Sequence, residues 1–261
     1  MFEAIVFDFG DTLFLFDRWN YDNCLLRMLD SLKRSKFSLE APYEEFRRVY
    51  FEVRKLMYRE AERSLREVDF CVRLAKTLKS FGLDLSHMDP PIVKAADAFF
   101  DAFVEDMRIE DHVPPLLKAL RRDYKLGIIT NFPYARGVIN TLARFNLTSL
   151  FDAVVISGEL GIRKPSPRIF EEALKILKVR ASETVFVGDT LKTDIYGAQN
   201  AGMKAILVQS ATARGREFAV PSDLDQMTVQ PDRTIPDLKD LPATLKALAS
   251  PDNHQPEKEM M

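Results

Sequence analysis

The stretch "AIVFDFGDTLF" (residues 4–14) decides how the rest of the chain reads. Ala4, Ile5, Val6 and Phe7 form an unbroken apolar run, the pattern of a strand covered on both faces. Asp8 ends the run, and an acid at the tip of a buried strand either does chemistry or caps a turn. Two residues further on, where a second acid could work beside the first, stands Gly10; Asp11 and Thr12 follow.

Four more short apolar runs repeat the pattern: "KLGIIT" (125–130), "AVVIS" (153–157), "TVFVGD" (184–189) and "KAILV" (204–208). Helical patterns separate them. "YARGVINTLARF" follows the second run. "SPRIFEEALKIL" follows the third, with Ser166 as N-cap and Pro167 at the first helical position. "TDIYGAQNAG" follows the fourth and stops at Gly202, a C′ glycine. Strands alternating with helices predict an α/β fold, a doubly wound parallel sheet.

The interval between the first two strands breaks this rhythm, being far longer than one crossover requires. It carries helical stripes: Phe46, Val49, Tyr50, Val53, Leu56 and Met57; then Phe70, Leu74, Leu78 and Phe81, ended by Gly82; then Phe99, Phe100, Phe103 and Met107. These stripes read as bundle core. "VPPLLKALRRD" (113–123) reads as the true crossover helix. The expected organisation is therefore a core domain of residues 1–14 and 111–249, an inserted α-helical domain of residues 15–110, and a polar, aperiodic and disordered tail of residues 250–261.

Bulk properties narrow the function classes. The 261 residues are 46% hydrophobic and 29% charged, ample for a sizeable core. A net charge of −2 gives no general attraction to nucleic acid or anionic membrane. Cys24 and Cys71 are the only cysteines and form no CxxC pattern, so neither a disulfide framework nor a zinc site is expected. With no signal peptide and no apolar run of about 20 residues, the expectation is a cytoplasmic protein without a membrane span.

Ligands of open parallel sheets bind beyond the carboxyl ends of the strands. Asp8 stands there after the first strand, Thr130 and Asn131 after the second, Lys164 after the third, Asp189 and Asp194 after the fourth. Each alone has a plain structural reading: a turn cap, strand-end packing, a solvated lysine, a helix N-cap. Acids, a lysine and a hydroxyl at successive strand ends are harder to dismiss.

In this order, and with a helical insert after the first, "DFGDTL", "TN", "KPSP" and "GDTLKTD" resemble the four motifs of the haloacid dehalogenase-like hydrolase superfamily. The resemblance covers residue 2 to about 248, and "PDRTIPDLKDLPATLKAL" (231–248) is similar to the family's last strand and helix. It implies a Mg²⁺-dependent phosphatase acting on a small phosphorylated substrate. Asp8 would be the nucleophile that forms an aspartyl-phosphate. Asp8, the Gly10 carbonyl, Asp189 and Asp194 would hold or steady magnesium. Lys164 would offset negative charge, Thr130 and Asn131 would bind phosphoryl oxygens with Lys164, and the insert would be a cap that carries specificity. Trp19, Tyr21 and Arg54 are cap residues that could face the crevice.

The chain departs from the family's phosphatases at Gly10, where they usually carry an aspartate that protonates the leaving oxygen. Asp11 is a rival acid/base, or only a turn residue. Two alternatives stay open: a metal-free hydrolase of 2-haloacids, and a catalytically weak member that binds a phosphorylated ligand or a protein partner.

Overall fold

The structure is a computed structural model of the chain and describes residues 1–16, 20–35, 39–209 and 229–249. Trp19 and the expected disordered tail lie outside the described residues.

Six strands form one parallel sheet: β1 (Ala4–Phe7), β2 (Lys125–Thr130), β3 (Ala153–Ile156), β4 (Thr184–Gly188), β5 (Lys204–Val208) and β6 (Arg233–Ile235). Their order is β3-β2-β1-β4-β5-β6. Residues alternate between two apolar clusters, as the strand period requires. Ile5, Phe7, Leu126, Ile128, Val185 and Val187 face one way; Ala4, Val6, Ile129, Val155 and Phe186 face the other. Helices cover both faces, which is why the strands read as continuous apolar runs. On the second face α8 (Pro167–Leu177) buries Ile169, Phe170, Ala173 and Leu177. On the first lie α5 (Val113–Leu120), α6 (Ala135–Arg144) and α10 (Leu241–Ala249), and a one-turn α7 (Ser157–Leu160) follows β3. Chain order reverses direction at β1, and the ends of β1 and β4 flank the reversal, the usual ligand crevice of such sheets.

Between β1 and α5 the chain makes four helices, α1 (Tyr21–Lys33), α2 (Tyr43–Ser64), α3 (Phe70–Lys79) and α4 (Pro90–Asp106). Entry and exit are zipped: Leu15 N–H donates to Arg108 O at 2.8 Å and Arg108 N–H to Leu15 O at 3.3 Å. A second seam joins the insert to the loop after β3. Arg163 N–H donates to Leu65 O at 3.1 Å and Glu67 N–H to Gly161 O at 3.2 Å. In the first stripe Phe46, Tyr50 and Met57 are buried and Val49 and Val53 half-buried, but Leu56 is 67% exposed. Ten residues after Phe46, it is turned about 80° from that stripe, on the margin of the buried face.

The insert is not insulated from the sheet. Phe100 of α4 stacks on Tyr134 with ring centres 4.7 Å apart and meets Phe132 at 5.4 Å, and Phe132 meets Phe9 at 5.9 Å. One apolar cluster therefore runs from α1 through these rings to the sheet.

Two local departures lie near the crevice. "TDIYGAQNAG" is not one α-helix: Leu191–Tyr196 is a π-turn, followed by a one-turn α9 (Gly197–Asn200), with Gly202 left-handed as expected. Ser166 is the residue before α8, but its side chain makes no capping bond. Among the described residues no helix is long and apolar enough to cross a membrane.

Candidate active site

Asp8 is the first residue beyond β1, and its N–H donates to Val187 O of β4 at 2.9 Å. The ladder on both sides fixes its position. Its carboxylate Oδ1 accepts from Lys164 Nζ at 2.5 Å, and the same ammonium donates to Asp194 Oδ1 at 2.7 Å. Lys164 is 2% exposed and lies 5.3 Å from the centre of the Phe186 ring. A buried lysine requires partners of this kind, because an uncompensated ammonium away from water is expensive.

The loop that carries Lys164 is clamped by Asn131. Lys164 N–H donates to Asn131 Oδ1 at 2.7 Å, and Asn131 Nδ2 donates to Lys164 O at 3.0 Å. The Asn131 side chain was expected to bind substrate. Both of its polar atoms instead serve the Lys164 backbone, so Asn131 positions the lysine. Thr130, the last residue of β2, is 3% exposed. Register pairs Phe7 with Ile128, which places Thr130 one residue beyond the level of Asp8.

Asp194 is buried in the π-turn, a deviation frequently found at functional sites. Its Oδ2 accepts from Thr190 N–H at 3.0 Å and its Oδ1 also accepts from the Thr193 hydroxyl at 3.3 Å. This approach requires Gly188: a Cβ there would lie 2.6 Å from the Asp194 side chain. Asp189 follows β4 directly, and its Oδ1 accepts from the Thr12 hydroxyl at 3.5 Å. Oxygen atoms of Asp8, Asp189 and Asp194 all lie within 4.8 Å of one another. Three carboxylates against one ammonium leave two formal negative charges in excess.

The titration of these groups reflects that excess. Burial, and secondarily the Asp194 charge, push the Asp8 carboxyl up from 3.8 to about 6, against the pull of Lys164. Burial followed by the charges of Asp194 and Asp8 holds Asp189 well above the usual carboxylate range. Burial opposes the charge on Lys164, but Asp194 and Asp8 outweigh it and raise its pKa. An all-oxygen group of carboxylates short of positive charge fits a hard divalent cation.

Gly10 does not have a left-handed backbone; that conformation belongs to Asp11, at φ 58°. What stands against a side chain at position 10 is Phe16. A Cβ on Gly10 would lie 2.6 Å from Phe16 Cε2, and the Phe16 ring stacks on Phe103 of α4 at 5.1 Å. Asp11 is 1% exposed and is not part of the three-carboxylate group. Tyr21, one of the proposed crevice residues, is buried in the insert with its hydroxyl 2.8 Å from that of Tyr50. Sequence reasoning assigned no role to Thr12, Phe16 or Gly188. Thr12 stood within the quoted motif, whereas nothing local marks Phe16 or Gly188.

The profile of the haloacid dehalogenase-like hydrolases matches residues 5–208. The chain belongs to that family. The match runs from β1 to the end of β5 and so includes every strand end that carries a candidate residue. A glyceraldehyde 3-phosphate phosphatase of Methanopyrus kandleri is 29% identical over 243 residues, covering 91% of this chain and 97% of that protein. An N-acylneuraminate-9-phosphatase of Rattus norvegicus is 39% identical over 104 residues, 39% of this chain and 41% of that protein. A crystal structure of a 2-haloacid dehalogenase from Pseudomonas syringae superposes with a TM-score of 0.61 at 27% identity, over 95% of this chain and all of that one. Family membership makes the chain a hydrolase by descent, with phosphatases and a dehalogenase among its relatives.

Proposed function

We propose that this chain is a magnesium-dependent phosphatase of a small phosphorylated metabolite, with Asp8 as nucleophile. The observation that carries this reading is the group of Asp8, Asp189 and Asp194 around a single ammonium. A dication would neutralise the two surplus charges, whereas a metal-free reaction would leave them unbalanced. The full-length likeness to the Methanopyrus kandleri phosphatase supports the same reaction class. The buried free cysteines suit a reducing cytoplasm.

Magnesium would be held by Asp8, the Gly10 carbonyl and Asp189, with Asp194 behind them, and would supply neutralisation of phosphoryl charge. The remaining chemistry belongs to the chain. Lys164 holds Asp8 Oδ1 in place, so the other oxygen attacks phosphorus and a carboxylate–phosphorus bond forms as the ester oxygen departs with its electron pair. The Thr130 hydroxyl and neighbouring backbone N–H groups donate to phosphoryl oxygens. Water then attacks the aspartyl-phosphate, phosphate leaves, and the Asp8 carboxylate is regenerated. The insert acts as a cap that closes over the site and excludes water in the first step.

No side chain at Gly10 protonates the departing oxygen, and Phe16 occupies the space such a group would use. The leaving group must carry its own charge. Aryl and acyl phosphates are therefore the expected good substrates, and simple alkyl phosphates poor ones.

A second reading, a metal-free 2-haloacid hydrolase, draws on the filled Gly10 position and on the likeness to the Pseudomonas syringae enzyme. One assay separates the two. Activity on an aryl phosphate should vanish in excess chelator and return with magnesium. Undiminished activity in chelator, or turnover of 2-haloacids alone, overturns the phosphatase reading.

A further inference from the structure

The residue before Lys164 is Arg163, and its side chain runs to the insert. Its guanidinium lies 5.5 Å from the centre of the Tyr58 ring of α2. Two further arginines meet the same ring, Arg54 at 4.7 Å and Arg73 of α3 at 5.2 Å. Arg73 also stands 5.2 Å from the Phe70 ring and 6.0 Å from that of Tyr50. A cationic, aromatic-lined group thus sits at the junction of insert and core, hung from the residue next to the lysine that grips the nucleophile.

Arg73 and Arg163 each keep buried donors without a hydrogen-bond partner. Arg73 is 2% exposed, yet among the described residues no carboxylate pairs with it. Its Nη1 donates to the Tyr50 hydroxyl at 3.2 Å, while Nε and Nη2 are buried with no hydrogen-bond partner. Arg163 Nη1 is likewise buried without one; the Glu67 carboxylate is 3.8 Å away, too far for a hydrogen bond. Glu67 accepts instead from the Ser157 hydroxyl at 2.8 Å and from Val68 N–H at 2.9 Å. Cation–π contacts offset part of the cost of burying a guanidinium, but they leave its in-plane N–H groups unsatisfied. Those groups are donors in a fixed fork that matches an oxyanion. Tyr58 and Arg54 are only partly buried, so the cluster opens to solvent on their side.

We propose that Arg73 and Arg163 form a subsite for a second anionic group on the substrate, a carboxylate or a phosphate remote from the scissile ester. The site would then prefer doubly anionic phosphate esters: one end at Asp8, the other between insert and core. Occupation would also tie the insert to the Lys164 loop. The inference rests on the phosphatase reading of the crevice at Asp8.

The test compares para-(carboxymethyl)phenyl phosphate with its carboxamide, which share nearly the same leaving group and differ in distal charge. A third ester with a para-phosphonomethyl group reads whether phosphate is preferred to carboxylate. Wild-type enzyme should favour an anionic ester over the amide in kcat/KM by about tenfold or more, the scale of one charge-assisted hydrogen bond. In Arg73→Met and in the less buried Arg163→Gln the ratio should fall toward one, with Arg73→Lys between. A wild-type ratio near one overturns the subsite. So does an unchanged ratio in both variants with a lowered melting temperature, which makes the arginines packing elements only. If no ester is hydrolysed, the phosphatase reading fails instead. Calorimetric titration of the same esters then reads the subsite directly, and equal affinities overturn it.

Discussion

The crevice at β1 and β4 and the cluster around Tyr58 are opposites in charge, yet they hang from adjacent residues, Lys164 and Arg163. The first has three carboxylates for one ammonium. The second has two buried guanidinium groups with open donors and one carboxylate out of hydrogen-bond reach. Neither is balanced internally. Structural ion pairs in a folded core are generally matched, because an unmatched buried charge costs stability. A surplus of each sign on the two sides of one loop is what a metal and an anionic substrate would complete. On the proposed reading the difference would also separate the tasks: the core side would do the chemistry, and the insert side would select.

The comparison breaks first at Asp8. Asp8→Asn should lower turnover by at least about 10³-fold, because an amide of the same shape is no nucleophile. It should not lower the melting temperature in the absence of metal, since burial already disfavours the charged form of Asp8. A variant that keeps a tenth of the activity, measured on an aryl phosphate, removes Asp8 from the chemistry.

The next largest effect concerns the seam that holds the two regions together. Phe100→Ala removes a ring packed on Tyr134 and Phe132 and should cost about 3–5 kcal/mol in denaturant unfolding. If the insert were an independent body, the loss would confine itself to the insert's own transition and leave the core's midpoint unchanged.

Gly10 sharpens the chemical side. Gly10→Asp alone drives a Cβ into Phe16 and should destabilise by about 1–3 kcal/mol without improving alkyl phosphate hydrolysis. Combined with Phe16→Ala, the new acid has room, and alkyl phosphate turnover should rise about tenfold or more. An Asp11→Asn variant that abolishes alkyl phosphate turnover in the wild-type background would make Asp11 the acid and remove the reason for this gain.

The smallest effect is thermal. The folded-state pKa of Asp8 is raised, from 3.8 to about 6, so the folded chain binds protons that the unfolded chain has already lost. Between those values metal-free stability should fall as pH rises, and the deficit is complete above about pH 6. Magnesium relieves that deficit. Its stabilisation, read by scanning fluorimetry, should therefore be greater at neutral pH than in mild acid, by a few degrees at about 2–4 °C per kcal/mol. Equal stabilisation on both sides would mean that the cation binds elsewhere.

Local pattern was sufficient for the sheet. Two-sided burial makes each strand a continuous apolar run, so five of the six strands, the crossover helices and the long insert could all be read from hydrophobic spacing. The sixth strand and the final helix came from the family likeness of residues 231–248. Asp8, Thr130, Lys164, Asp189 and Asp194 were legible for a related reason: strand ends are local events, and the α/β plan sends them all to one edge. The contacts that shape the crevice were not legible. Phe16 against Gly10, Gly188 under Asp194, the Asn131 clamp on Lys164 and Arg73 beside Arg163 join residues distant in the chain or set by the angle of one side chain. Spacing of apolar residues carries no term for those distances. They depend on how the insert docks and how the loops close, which only the packed tertiary structure decides.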